Sequence, residues 1–202
     1  MNNKYFIWIA VGIGLITALM AWFIFFNDTP SEQAPQSDAV AFRVDYPRVG
    51  EDHRFTVASA QEVLAIFEGG DGLVFLGFPE CPWCQQLAPI VDEAARAEGL
   101  EKIYYLNIRE SRAANDGVYQ ALVDKLRPHL ETDEDGEPRI YVPDVTMFRG
   151  GEIVGRFQQE PAAEGEQVTP DTFWTSERRE RATGQLKSII TSSTGVSDGS
   201  AE

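Results

Sequence analysis

The two cysteines of this chain, Cys81 and Cys84, lie where the sequence pattern changes from strand to helix. Before them, residues 72–78 form a short apolar run opened by glycine, which is typical of a buried strand. After them, apolar residues recur at helical spacing, and Gly99 marks the expected end of the helix. The sequence therefore predicts that a buried strand passes directly into a helix at the cysteine pair.

A cysteine pair at the start of a helix suits thiol–disulfide exchange. The free N–H groups and the positive end of the helix dipole stabilise a thiolate, most strongly at Cys81, which is nearer the helix tip. We interpret Cys81 as the nucleophile and Cys84 as the thiol that resolves the mixed disulfide. Pro82 would stiffen the turn, and Trp83 would offer an aromatic contact surface. This chemistry requires neither a metal nor an organic cofactor.

Two other interpretations of the cysteine pair are less well supported. A structural disulfide would close a very short loop and stabilise little, because the stabilisation grows with loop length. A zinc site would need more ligands, yet the two histidines, His53 and His129, have no second cysteine pair to join. We expect both histidines to lie on the surface.

The motif Cys-Pro-Trp-Cys at residues 81–84 resembles the start of the active-site helix of the thioredoxin family. The resemblance continues through Leu-Ala-Pro-Ile at residues 87–90 to Asp92 and Glu93. Pro89 lies inside the predicted helix, where proline costs roughly 3 kcal/mol, so the resemblance explains it better than helix propensity does. The resemblance implies a thioredoxin-like α/β fold, with a central mixed sheet flanked by helices. It also implies thiol–disulfide oxidoreductase activity.

Residues 142–154 resemble the cis-proline loop of the same family, followed by a strand, a glycine turn and a second strand. The resemblance implies that Pro143 is cis and that its loop lies against the cysteines. It also implies that the backbone of Val142 pairs with an extended substrate peptide, as in strand addition. In outline the resemblance covers about residues 54–190.

Two positions depart from the family pattern. Many thioredoxins carry a buried Asp before the cysteines and a Lys on the next strand, where this chain has Phe75 and Tyr105. Glu80 is then a candidate proton acceptor, although a surface carboxylate is the simpler interpretation and its charge would oppose a thiolate. The departure leaves open whether the pair acts as an oxidant, a reductant or an isomerase.

Residues 5–26 contain no charged side chain. As a helix they would span about 33 Å, against a hydrocarbon core of about 30 Å, so we expect a transmembrane anchor. A cleaved signal peptide is the alternative, but the run exceeds the usual apolar region of about 7–15 residues and no convincing cleavage site follows. The positive-inside rule places residues 1–4 in the cytoplasm and the rest of the chain outside the cytoplasm.

The remaining chain divides into a linker, one domain and a tail. Residues 27–41 are rich in Pro, Ser and Gln and predict a flexible linker. Residues 42–190 have the size of one thioredoxin-like domain. Residues 191–202 are rich in Ser, Thr and Gly and predict a disordered tail.

Local patterns predict further elements of the domain. A capping box at Ser59 and Glu62 starts a helix, and residues 102–108 form the next strand, parallel to the strand before the cysteines. Residues 109–112 are expected to be a loop, and residues 118–126 a second helix. Residues 158–170 read as an exposed connection, followed by a last helix with Phe173 and Trp174 near its start.

The chain is acidic, with 17 Lys and Arg against 32 Asp and Glu and a formal net charge of −15. This charge would repel nucleic acid and anionic lipid head groups, so neither is an expected partner. The acidic residues 131–137 suggest calcium, but aligning Gly136 with the loop glycine of a calcium site puts Val142 where a bidentate Glu is needed. We therefore expect a solvated acidic loop.

The sequence supports two functional hypotheses. The first is a membrane-anchored, extracytoplasmic oxidoreductase that exchanges disulfides with exported proteins and is recharged by an unidentified redox partner. The second is a redox-inactive module that holds peptides or assists export at the Val142–Pro143 loop. No dimerisation domain is visible, so we expect a monomer.

Overall fold

The computed structural model describes residues 35–192. The predicted cytoplasmic residues 1–4, the predicted anchor at residues 5–26, the first part of the linker and nearly all of the tail lie outside the described residues. Within residues 35–192, none of the helices is long and apolar enough to cross a membrane.

The described chain alternates helices and strands. In order they are α1 (Pro35–Asp45), β1 (Phe55–Val57), α2 (Ala60–Gly69), β2 (Gly72–Gly77), α3 (Pro82–Ala97), β3 (Ile103–Asn107), α4 (Arg109–Ala114), α5 (Gly117–Leu126), a 3₁₀ turn (Arg127–His129), β4 (Glu131–Thr132), β5 (Pro138–Arg139), β6 (Asp144–Arg149), β7 (Glu152–Arg156), α6 (Pro170–Phe173) and α7 (Ser176–Thr191).

The main sheet of the described chain has the strand order β1-β3-β2-β6-β7. Strands β1, β3 and β2 run parallel, whereas β6 is antiparallel to β2 and β7 is antiparallel to β6. The predicted parallel unit of strand, cysteine helix and strand is therefore confirmed. The predicted α/β fold, with a mixed central sheet flanked by helices, is confirmed as well.

Strand β2 separates two hydrophobic cores because its side chains alternate between the faces of the sheet. Leu73 and Phe75 face a core shared with α1, α3 and α7, while Val74 and Leu76 face a core shared with α2 and α5. Every residue of β2 is buried. The uninterrupted apolar run that predicted this strand thus reflects burial on both faces.

Pairing between β2 and β6 brings the two distant parts of the candidate site together. Leu76, near the end of β2, pairs with Asp144, the first residue of β6. The cysteines follow β2 and Pro143 precedes β6, so the antiparallel register places both segments at the same edge of the sheet.

The structure corrects the predicted linker, because helix α1 begins at Pro35 and includes residues 35–41. Phe42 and Tyr46 lie one helical turn apart and are fully buried. Phe42 stacks on Phe55 with 4.3 Å between ring centroids. Phe42 and Tyr46 belong to the predicted domain, and their packing anchors the end of α1 in the core.

Three smaller predictions are also corrected. Residues 109–112, predicted as a loop, begin helix α4. The last helix was predicted as one element, but the structure has two helices, α6 and α7, separated by Trp174 and Thr175. Helix α7 extends to Thr191, the first residue of the predicted tail. His53 is buried rather than on the surface, because its ring accepts a hydrogen bond from the backbone N–H of Phe55 at 3.1 Å and donates one to the carbonyl of Ala39 at 3.0 Å.

The acidic segment forms the β4–β5 hairpin. Its turn is organised by the carboxylate of Asp133, which accepts hydrogen bonds from the backbone N–H groups of Asp135 and Glu137, both at 3.1 Å. Among residues 35–192, no group of three or more His, Cys, Asp or Glu side chains could hold a metal ion.

Candidate active site

The cysteine pair begins helix α3. Cys81 is the N-cap residue, and its sulfur accepts a hydrogen bond from the backbone N–H of Cys84 at 3.2 Å. Pro82 is the first helical residue, where the missing N–H of proline costs no hydrogen bond. Cys81 is 7% exposed and Cys84 is fully buried, and both are free thiols. Of the two sulfurs, that of Cys81 is therefore the more accessible to a partner.

The two thiols differ in acidity. The pKa of Cys81 is lowered to about 7, first by a hydrogen bond from the Cys84 thiol, then by backbone N–H groups of Cys84 and Trp83 and by the charge of Arg112, against the opposing effect of burial. Burial raises the pKa of Cys84. The environment thus favours a thiolate at Cys81 and a protonated, hydrogen-bonding thiol at Cys84.

Gly77 allows the end of β2 to approach the buried thiol. A Cβ atom at this position would lie 3.2 Å from the sulfur of Cys84 and 2.7 Å from the ring of Phe75. Any larger residue would therefore push one of these groups away.

Arg112 is a site residue that the sequence analysis missed. Its guanidinium lies over the ring of Phe78, 4.8 Å from the centroid, and donates to the carbonyl of Ile140 at 3.4 Å. It thereby connects the segment before the cysteines with the segment before Pro143, and its charge lowers the pKa of both cysteines. A basic residue just after β3 was the available signal, because parallel β2 and β3 end at the same edge of the sheet.

The Val142–Pro143 segment lies against the cysteine pair, as the resemblance implied. The peptide bond between these residues is cis, which confirms the prediction for Pro143. When Cys81 is protonated, its thiol donates to the carbonyl of Val142 across 3.7 Å. A partner's sulfur approaching Cys81 would therefore come close to this backbone.

A groove of about 490 Å³ opens beside this contact. Trp83, Val142 and Pro143 line one part of it, and the 3₁₀ turn, the β4–β5 hairpin and the segment from the end of β7 to Gln159 line other parts. Trp83 is held by the edge-on ring of Phe173, with 5.3 Å between centroids. Tyr141, which is 48% exposed, offers a further aromatic surface in the groove.

Behind Cys84, the interior is aromatic. Phe75 is fully buried, and Tyr105 is 2% exposed. The hydroxyl of Tyr46 donates to the hydroxyl of Tyr105 at 3.4 Å, and burial raises the pKa of both phenols. Tyrosines with raised pKa values are poor proton acceptors, so this pair does not replace the missing Asp.

Glu80, the candidate proton acceptor, is exposed and forms an ion pair with Arg109 of α4. This contact holds its carboxylate at the surface beside the cysteine turn. Its role in proton transfer stays a prediction.

Comparison with known proteins identifies no family for this chain. No protein-family model matches it, and a search of curated proteins finds no significant match. Among solved structures, the chain is similar to thioredoxin O2 from Arabidopsis thaliana in its oxidised state, with 16% sequence identity and a TM-score of 0.35. The match covers 52% of this chain and 81% of that chain. A likeness at this level adds no weight to the strand order and site geometry described above.

Proposed function

We propose that this protein is a thiol–disulfide oxidoreductase in which Cys81 is the nucleophile and Cys84 is the resolving thiol. The observation that carries the proposal is the placement of Cys81 at the start of α3, where its sulfur accepts the Cys84 N–H and lies 3.7 Å from the Val142 carbonyl. A thiol of lowered pKa beside a backbone that can pair with a peptide suits disulfide exchange.

In the reducing direction, the Cys81 thiolate attacks one sulfur of the partner's disulfide. A mixed disulfide forms, and the partner's other sulfur leaves as a thiolate. Cys84 then loses its proton and attacks the sulfur of Cys81, which releases the partner's second thiol. The partner gains two electrons and the cysteine pair loses two, and the same steps run in reverse when the pair oxidises a partner.

We further propose that residues 5–26 anchor the protein in a membrane, with residues 1–4 in the cytoplasm and the thioredoxin-like domain outside it. Its substrates would then be thiols or disulfides of exported proteins, and a separate redox partner would recharge the pair. The uncharged run and the preceding Lys4 support this arrangement. The peptide would lie along Val142 and Pro143, with Pro82 and Trp83 at its side. We propose a monomer that binds no nucleic acid.

Cys84→Ser in the full-length membrane protein is expected to trap substrates, because the mixed disulfide on Cys81 can no longer be resolved. After an acid quench and alkylation, non-reducing gels should show adducts that disappear with reductant. The matched control is the double variant Cys81→Ser with Cys84→Ser, which should form none.

Absence of adducts in the Cys84→Ser variant would count against the oxidoreductase. Adducts that persist in the double variant would mean that the linkage does not involve Cys81. If the double variant still captured the same partners without a covalent bond, the peptide-binding module would become the better account.

A further inference from the structure

A buried carboxylate follows Pro143 directly. The side chain of Asp144 is 1% exposed. It accepts hydrogen bonds from the hydroxyl of Thr146 at 2.7 Å, from Nε of Arg156 at 2.7 Å and from Nη2 of Arg156 at 2.6 Å. Both guanidinium contacts go to the same oxygen, Oδ2, while Thr146 donates to Oδ1, so both oxygens of the carboxylate are held by charge-assisted or hydroxyl hydrogen bonds.

The guanidinium of Arg156 also reaches a third segment. Its Nη1 donates to the carbonyl of His129 at 2.8 Å, so it connects the end of β7, the start of β6 and the 3₁₀ turn. The Arg156 side chain is 17% exposed and lines the groove beside the cysteines. Arg156, the partly exposed member of the pair, therefore forms part of the wall that a bound peptide would contact.

Stability alone is a weak explanation for such a pair. Replacing a buried ion pair by apolar residues of similar volume is often neutral or stabilising, because desolvation of the charges offsets their attraction. Its position is more informative, since Asp144 lies two residues after the carbonyl that contacts the sulfur of Cys81. Fixing Asp144 fixes the backbone against which the partner's peptide would pair.

We propose that Asp144 and Arg156 form a positioning pair that holds the Val142–Pro143 segment in register for an extended peptide substrate. The inference rests on the proposed function. Neither side chain has a described contact with a cysteine sulfur, so the pair acts through the segment rather than on the reacting atoms. Loss of the pair should impair exchange with polypeptide disulfides and spare exchange with a small disulfide that has no peptide backbone.

The test compares reduction of insulin with reduction of bis(2-hydroxyethyl) disulfide by full-length protein in detergent, with dithiothreitol as the reductant that returns the oxidised Cys81–Cys84 pair to the dithiol and with the uncatalysed rate subtracted. For Asp144→Asn, we expect kcat/KM for insulin to fall about 10- to 100-fold, because slight misplacement of a substrate causes losses of this size. The rate with the small disulfide should stay within about twofold of the wild-type rate. Asp71→Asn is the matched control, because Asp71 pairs with Arg149 near the other end of the β2–β6 pairing. It should leave both rates unchanged.

A second variant guards against misfolding. Asp144→Leu combined with Arg156→Met removes both charges and should fold, yet it should show the same selective loss on insulin. An equal loss with both substrates, or no loss with either, would overturn the positioning pair. Wild-type protein that reduces neither substrate would overturn the proposed function and this inference with it, whereas active wild type with unaffected variants would overturn the inference alone.

Discussion

Phe42→Ala is expected to lower the free energy of unfolding by about 3–5 kcal/mol, the usual cost of truncating a buried phenylalanine. Phe42 is fully buried. Its ring stacks on Tyr46 at 4.5 Å and on Phe55 at 4.3 Å, and it meets Tyr105 edge-on at 5.1 Å. The truncation would leave a cavity in the core that supports the cysteine helix. Urea unfolding of a fragment that begins at Pro35 measures the effect.

Val44→Ala is the matched control on the same helix. Val44 is 77% exposed, so its truncation should change the free energy of unfolding by less than about 0.5 kcal/mol. A near-zero effect at Phe42 would mean that α1 is not docked in the core. Equal losses at both positions would contradict the orientation of the helix described above.

Arg112→Met is expected to raise the pKa of Cys81 and slow its alkylation below neutral pH. In the wild-type protein this pKa is about 7, so the alkylation rate should fall about tenfold for each pH unit well below 7. Removing the guanidinium removes a positive charge that favours the thiolate. A partly exposed charge interaction, such as that between Arg112 and the Cys81 thiolate, contributes about 0.2–1 kcal/mol. Its loss corresponds to a decrease of about 1.5- to 5-fold in the fraction of Cys81 that is thiolate at pH 6. The rate of iodoacetamide labelling of Cys81, measured as a function of pH in both proteins, tests this prediction.

The pH dependence of the alkylation rate gives the experiment an internal check. Above pH 9 both proteins carry mainly thiolate at Cys81, so their alkylation rates should converge. Arg127→Met is the matched control, because Arg127 is an exposed arginine whose salt bridge is to Asp124 of α5. A uniform decrease at every pH would indicate altered access to Cys81 instead of altered acidity.

Local signals explain what the sequence predicted correctly. Strand β2 is buried on both faces, so its apolar run needed no knowledge of its neighbours. Helix α2 carries its own start signal, since the Ser59 hydroxyl caps the N–H of Glu62 while the Glu62 carboxylate accepts the N–H of Ser59. The position of the cysteine pair at the start of a helix and the cis bond before Pro143 were predicted from short motifs of a few adjacent residues.

The missed features depend on partners far away in the sequence. Helix α1 extends back to Pro35 over residues predicted as linker, and its end is held because Phe42 and Tyr46 pack against Phe55 and Tyr105. Arg112 acquires its significance from the edge of the sheet where β2 and β3 both end.

The Asp144–Arg156 pair illustrates the same limit. In the sequence, Asp144 is one polar residue after a proline, and Arg156 is one charged residue just after a predicted strand. Their contact follows from the register of β6 with β7, in which Thr146 pairs with Arg156. Such a contact becomes visible only when the sheet is assembled.

The most direct test of the central claim is the reduction potential of the Cys81–Cys84 pair, measured by equilibrating the fragment from Pro35 with glutathione redox buffers. The account predicts a two-electron transition between about −270 and −120 mV, the range from thioredoxin to strong oxidants. A pair that shows no two-electron transition would contradict the oxidoreductase and leave the groove as a peptide-binding site.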